Sequence, residues 1–367
     1  MRRRTGTLKG LSHSLLAGTA LLFVAALGAR ASNDGAPFDL RFAYSGAPET
    51  WPRPQLRPGA AFEEFAPLPP PATPGPREAK LIALGARLFD DPRLSASGQI
   101  ACASCHAAEL AFSDALQRPF GHDRQRGRRN SQALLVTRWM TPLFWDGRAE
   151  TLEEQALHPI TDRVEMAADL AEVERRMNTI AAYRAAFAEV TGRTKVTRAD
   201  LADALAAFQR SLRPRATRFS RLVAGDNRAM SDQQLKGLHL FRTKAGCVNC
   251  HSGMLLSDRR FHNLGLSFYG RPREDLGRWE VTGVAADVGR FRTPSLLNAG
   301  RTAPYMHNGL LRSLDNVVAF YNGGGGRDRR AKPLKGNAPP PTPDPLIQSL
   351  GLTREEQEAL VAFLEAL

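Results

Sequence analysis

The stretches ACASCH, residues 101–106, and GCVNCH, residues 246–251, hold all four cysteines of the 367-residue chain. Each reads Cys-x-x-Cys-His. Four chemistries use paired cysteines: a structural disulfide, a zinc site, a redox dithiol and covalently attached haem. The pairs of a zinc ribbon stand roughly 15–20 residues apart, whereas Cys105 and Cys247 are 142 positions apart. A thioredoxin-like dithiol sits in a strand–helix–strand context, and no such pattern surrounds either pair. A disulfide has no need of the histidine that follows each pair. Covalent haem uses every residue: two thiols add to the two vinyl groups, and the adjacent imidazole reaches the iron. The sequence therefore predicts two covalent haem c groups, one on Cys102, Cys105 and proximal His106, the other on Cys247, Cys250 and proximal His251.

The N-terminus supplies a compartment. Arg2, Arg3, Arg4 and Lys9 precede an apolar run over 15–28, which is short for a membrane span, and Ala29-Arg30-Ala31 forms a small-residue cleavage site. Residues 1–31 read as a cleavable signal peptide that sends the chain to the periplasm, with no stable membrane span left afterwards. The formal charge of +13 includes five Lys/Arg and no acid within residues 1–31, so the mature chain is near +8. That moderately basic surface lacks an aromatic-interleaved basic motif, which argues against a nucleic-acid partner. It reads as a solvated basic surface or, more sharply, as a docking patch for an acidic partner.

Organisation follows from length and periodicity. About 330 mature residues exceed the size at which single cores usually split. Residues 32–78 are Pro-rich and aperiodic and read as an extension that wraps or dangles without a core of its own, with ordered structure expected from Glu78. Leu201, Leu205, Phe208 and Leu212 share one helical face behind a capping box at Thr197 and Asp200. Thr353 and Glu356 open another helix carrying Leu360, Phe363, Leu364 and Leu367. No run alternates with period two. Gly85-x-x-Leu88-Phe89 and Gly237-x-x-Leu240-Phe241 each stand just ahead of a Cys unit, which marks an internal repeat. The fold expected is mostly α with little β: two cytochrome c-like haem domains, 79–225 (with a helical insert) and 226–367, packed together with long loops.

Wider motifs carry a resemblance. LGARLFDDPRLSASGQIACASCH, GHDRQRGRRN, FWDGRAETLEEQALHPITDRVEM and RFRTPSLLNAGRTAPYMHNGLLRSLDNVVAFYNGG, spread over roughly 79–367, resemble the bacterial dihaem cytochrome c peroxidases. The same superfamily contains the MauG-type enzymes, which oxidise tryptophans of a partner protein. The resemblance implies a first, peroxidatic haem and a second, electron-transfer haem. It places His122 as a removable distal ligand of the first iron. Glu165 would be the acid/base of the distal pocket and Gln155 would orient peroxide. That pairing suits the chemistry, because one oxygen must lose a proton and the other gain one. Trp145 matches the tryptophan between the haems, although burial of its area alone also explains such a residue. Asn130 and the carbonyls of Thr302 and Pro304 match a calcium site, and oxygen donors suit that ion.

The second haem's distal ligand departs from the simplest pattern. Register with the TAPY motif puts Tyr321 where peroxidases carry methionine and MauG-type enzymes carry tyrosine, with Met306 as the alternative. His262 and His307 read as loop caps or propionate partners. The activity implied is reduction of hydrogen peroxide with electrons from a small cytochrome c or cupredoxin. A MauG- or MbnH-like oxidation of a partner's tryptophan is the alternative, and a pure electron carrier is a third class. A homodimer is one option for the assembly.

Overall fold

A computed structural model of the chain describes residues 39–328, 330, 332–334 and 336–367. The signal peptide expected over 1–31 lies outside these residues. Among them, eleven helices and one pair of two-residue strands form the regular structure. The helices are α1 (Leu40–Ala43), α2 (Pro76–Phe89), α3 (Leu152–Thr161), α4 (Leu170–Thr179), α5 (Ala181–Thr191), α6 (Arg198–Ser211), α7 (Arg218–Val223), α8 (Asp232–Arg242), α9 (Trp279–Thr282), α10 (Leu314–Asn322) and α11 (Arg354–Glu365). Strands β1 (Phe261–His262) and β2 (Phe291–Arg292) pair antiparallel. No helix among the described residues is long and apolar enough to cross a membrane.

The predicted capping boxes form as read. Thr197 accepts from the Asp200 N–H and Asp200 from the Thr197 N–H; Thr353 and Glu356 do the same. Behind them the apolar faces bury Leu201 and Leu205 on α6, and Leu360, Phe363 and Leu364 on α11. Leu212 falls one residue past α6, in extended conformation, but remains in the core.

The repeat seen in the sequence is a repeated crossing. Gly85 on α2 meets α6, where an added Cβ would overlap the Ala204 carbonyl. Gly237 on α8 meets α11, where it would overlap the Ala359 carbonyl. Only hydrogen at these positions lets two helix backbones approach so closely. One turn on, Phe89 packs on Phe208 at 5.0 Å between ring centroids, and Phe241 on Phe363 at 5.1 Å. Each crossing therefore fixes the helix that precedes a Cys-x-x-Cys-His loop.

Apolar side chains gather accordingly. One cluster draws on residues from Leu84 to Leu212. A second draws on Phe219 to Leu367 and also takes Tyr44, Trp51 and Phe65 from the Pro-rich segment. A third, with Val136, Met140, Leu143, Leu152, Ala206 and Leu255, bridges the two.

The extension therefore differs from its expected role. It wraps, ordered structure begins well before Glu78, and its aromatics complete a core formed by the far end of the chain. Arg242 explains the attachment. Its fully buried guanidinium is held bidentately by Glu64 (2.6 and 2.9 Å) and donates to the Pro52 carbonyl at 3.0 Å. The Gln55 N–H donates back to the Arg242 carbonyl at 2.8 Å.

Candidate active site

The Cys units occupy short helical turns, and in each the histidine N–H donates to the carbonyl of the first cysteine. No disulfide joins the cysteines of either pair. Burial pushes the Cys102, Cys105 and Cys247 thiols up to about 12. The two histidines share one arrangement. His106 Nδ1 bonds the Phe112 carbonyl and His251 Nδ1 the Leu256 carbonyl, each at 2.9 Å. A carbonyl can only accept, so Nδ1 carries the proton and Nε2 the lone pair. Burial holds both imidazoles below their ordinary pKa and therefore neutral. Those are the requirements of an iron ligand.

Both units open on one cavity of about 700 Å³, lined by Cys105, His106, Cys247, Cys250 and His251. A smaller adjoining pocket reaches Cys102. Residue types and placement fit two haem groups: paired thiols, a neutral imidazole beside each pair, and mainly apolar walls from Leu134, Val136, Met140, Leu143, Leu296 and Leu297.

The predicted distal pair converges beside His106. Gln155, on α3, and Glu165, in the turn after it, line both the cavity and the smaller pocket. Burial, reinforced by Asp162 and opposed by Arg148, raises the Glu165 carboxyl to about 7. The Gln209 side-chain amide donates to Gln155 Oε1 at 3.1 Å and fixes how Gln155 points. Gln209 was legible as an anomaly, being a polar residue four positions after Leu205 on the buried stripe of α6.

Trp145, 9% exposed, lines the same cavity. The FWDG loop that presents it is pinned from both sides. Leu143 bridges Ala149, Arg278 donates to the Asp146 and Gly147 carbonyls, and the Arg292 N–H donates to the Trp145 carbonyl at 2.8 Å. Trp145 Nε1 donates to the Asn130 carbonyl at 2.9 Å. Beside the indole, His307 stacks on Phe291 with centroids 3.5 Å apart, and burial drives its pKa down to about 3. Asn130, Thr302 and Pro304 all line the same cavity, as do Tyr321, on α10, and Met306. Burial raises the Tyr321 phenol, with Cys250 and Cys247 adding to the effect.

His122 is not brought to the cavity. Its ring nitrogen Nε2 lies 3.5 Å from Asp123, Nδ1 is buried without a partner, and neither pocket includes it. Its loop nonetheless borders the distal pair: Pro119 and Gly121 line the smaller pocket, the His122 N–H donates to the Glu165 carbonyl at 2.7 Å, and Gly121 packs directly on Val164 and Glu165.

His262 ties loops together. Its Nδ1 bonds Asp344 at 2.7 Å and its Nε2 bonds Asp258 at 2.8 Å. Burial opposes its charge, but the two carboxylates outweigh that and raise it to about 12. Cys250, Asp258 and His262 form a group with metal-ligand chemistry. Both His262 nitrogens are already engaged, which leaves no lone pair for an ion.

An ionic seam that the sequence reading missed, buried at Arg129, Asp146 and Asp275, joins the halves. Arg129 pairs with Asp146 and with Asp275 (2.7 Å), and Arg128 reaches Asp275 and Glu280.

Comparison with known proteins agrees with this geometry. Residues 79–228 match the profile of the di-haem cytochrome c peroxidase family. The chain is 39% identical over 339 residues to cytochrome-c peroxidase IdrP1 of Denitromonas iodatirespirans, covering 84% of this chain and 87% of that one. It is 35% identical over 317 residues to the methylamine utilization protein MauG of Methylophilus methylotrophus, covering 85% and 89%. A solved MauG-like protein associated with microbial copper homeostasis superposes with a TM-score of 0.71 at 32% identity, over 82% of this chain and 93% of the other. The paired haem-type loops, the mostly helical fold and these likenesses agree: the chain belongs to the di-haem cytochrome c peroxidase and MauG family and is a peroxidase-type oxidoreductase.

Proposed function

We propose that the chain is an exported di-haem c-type peroxidase, reducing hydrogen peroxide to water with electrons from a small periplasmic cytochrome c or cupredoxin. The observation that carries this reading is the convergence of Glu165 and Gln155 beside His106, with the carboxyl poised near neutrality. Cys102 with Cys105, and Cys247 with Cys250, would take the thioether bonds, and His106 and His251 would hold the irons through Nε2. When bound, the haem pair supplies the Lewis acid and the electron storage needed for O–O cleavage.

The chain's own residues do the rest. Glu165, as carboxylate, accepts a proton from the nearer peroxide oxygen and returns it to the departing one. A group with pKa near 7 performs both halves at neutral pH. Gln155, held by Gln209, orients the peroxide. Trp145 provides an electron relay between the units, and its N–H faces a neutral carbonyl, so it keeps its proton. Tyr321 is the proposed distal ligand of the second haem, with Met306 as the alternative. Asn130, Thr302 and Pro304 would hold one calcium ion. His122 is the proposed removable distal ligand of the first haem.

The test is steady-state oxidation of a reduced small cytochrome c by the purified holoprotein on adding peroxide. A holoprotein with both haems bound and no peroxide-dependent donor oxidation sinks the proposal.

A second reading, oxidation of a tryptophan in a partner protein, is supported by Tyr321, which lines the cavity near Cys247 and Cys250. A peroxide-dependent mass change in a co-purifying protein, without turnover of a cytochrome donor, would select it.

A further inference from the structure

Two arginines are buried among the described residues, Arg242 and Arg292, and they differ in one respect. Arg242 has the carboxylate of Glu64. Arg292 has none within ion-pair distance. Its Nε donates to the Phe144 carbonyl at 3.0 Å, its Nη2 reaches Gln132 Oε1 at 3.4 Å, and its Nη1 is buried with no partner. Arg129, nearby and nearly as buried, is matched by Asp146 and Asp275, so the surrounding acids are already spent. A guanidinium stays charged at any pH the protein meets. Burying it against neutral oxygens alone is a cost that a fold retains only when an anion completes the site.

The place of Arg292 says which anion. It is the last residue of β2 and lines the cavity together with Gln132, Phe144, Trp145, Thr293 and Pro294. Its backbone N–H and its Nε both bond carbonyls of the FWDG loop, so the guanidinium is fixed at the seam between the two haem-binding units. Haem has two carboxylates and no other anionic group. We propose that Arg292 is the buried anchor of a haem propionate at this seam. It acts as a positioning residue that sets the reduction potential of the haem it holds. The inference rests on the two-haem reading above.

Desolvation lowers the Arg292 pKa only to about 10, so the charge persists at neutral pH. A fixed positive charge beside a propionate keeps that carboxylate ionised. It also favours the reduced iron, which carries one positive charge fewer.

The experiment compares the holoprotein with its R292Q and R292K variants. Haem is counted by the pyridine haemochromogen method, and both reduction potentials are followed against pH by spectroelectrochemistry. A wild-type protein without two haems defeats the cofactor reading itself, whatever the variants do. With two haems in place, R292Q should lower one potential and make it pH-dependent in the neutral range, while R292K stays close to wild type. Failure of R292Q to retain a haem that R292K retains supports the same assignment. R292Q with both haems bound and both potentials and pH profiles unchanged overturns it. Should neither variant load, redox-difference infrared spectroscopy of the wild type carrying carboxyl-labelled haem decides. A propionate band that stays ionised well below neutral pH supports the anchor, and two bands that titrate as solvated carboxylates refute it.

Discussion

Replacing Glu165 with glutamine separates the proton shuttle from every other property of the pocket. The side chains are nearly isosteric, and the Glu165 backbone contacts with Asp162 and His122 do not involve the carboxyl. The rise of the carboxyl from 4.5 to about 7 corresponds to about 3 kcal/mol of preference for its neutral form. A positioned acid/base of this kind contributes roughly 10²–10⁴-fold to rate. In the wild type, kcat/KM for peroxide should climb with pH, with a midpoint near 7, as the proton-accepting carboxylate forms. The variant should run about a hundredfold slower or worse, without that inflection.

Stability moves the other way. A carboxyl with raised folded pKa holds its proton more tightly folded than unfolded. Its stabilising share is present below 4.5 and lost as pH rises through about 7. Above that window E165Q should be the more stable protein, by up to about 3 kcal/mol. The assay is initial peroxide-dependent donor oxidation from about pH 5 to about pH 9, with denaturant melts at both ends and haem content as the control. A fully loaded E165Q that keeps wild-type activity, or keeps the inflection near 7, would refute the assignment.

Changing Cys247 and Cys250 together to alanine should leave one haem per chain by pyridine haemochromogen, and two covalent haems in that variant would disprove the attachment scheme. Gly237→Ala forces a methyl onto the Ala359 carbonyl and should cost about 1–3 kcal/mol in a thermal melt. Gly75→Ala, where nothing lies within 4 Å, is the matched control, and equal melts would contradict the close crossing. Glu64→Gln strands the Arg242 charge and should destabilise by roughly 3–5 kcal/mol. A change near zero in chemical denaturation would mean that the Pro52 carbonyl alone satisfies Arg242.

What the sequence disclosed was what is local. The capping boxes at Thr197 and Thr353 need only residues three apart, and the Gly-x-x-Leu-Phe repeat sits inside single helices. The Cys-x-x-Cys-His loops and the Glu165–Gln155 pair were legible from motif. Whether Glu165 titrates near neutrality was not, because that depends on burial and on Asp162 and Arg148 around it. The role of Tyr44, Trp51 and Phe65 was hidden for another reason. Their segment forms almost no regular structure and carries no period, and its partner Arg242 lies 190 positions from Pro52. Arg292 looked like one more arginine in a basic chain, and only the absence of a carboxylate beside it singles it out.

The wrapped extension also bears on how separable the two halves are. A repeat of helix, haem loop and helix invites cutting the chain near residue 225 to study each half alone. The second half made that way would lack three aromatic side chains of its own core and the carboxylate that neutralises Arg242. During synthesis the first described residues wait for the last ones before they can bury. Among the described residues, the first haem-loop unit therefore lies in sequence between two parts of the second unit's core, although the plan is a duplicated one.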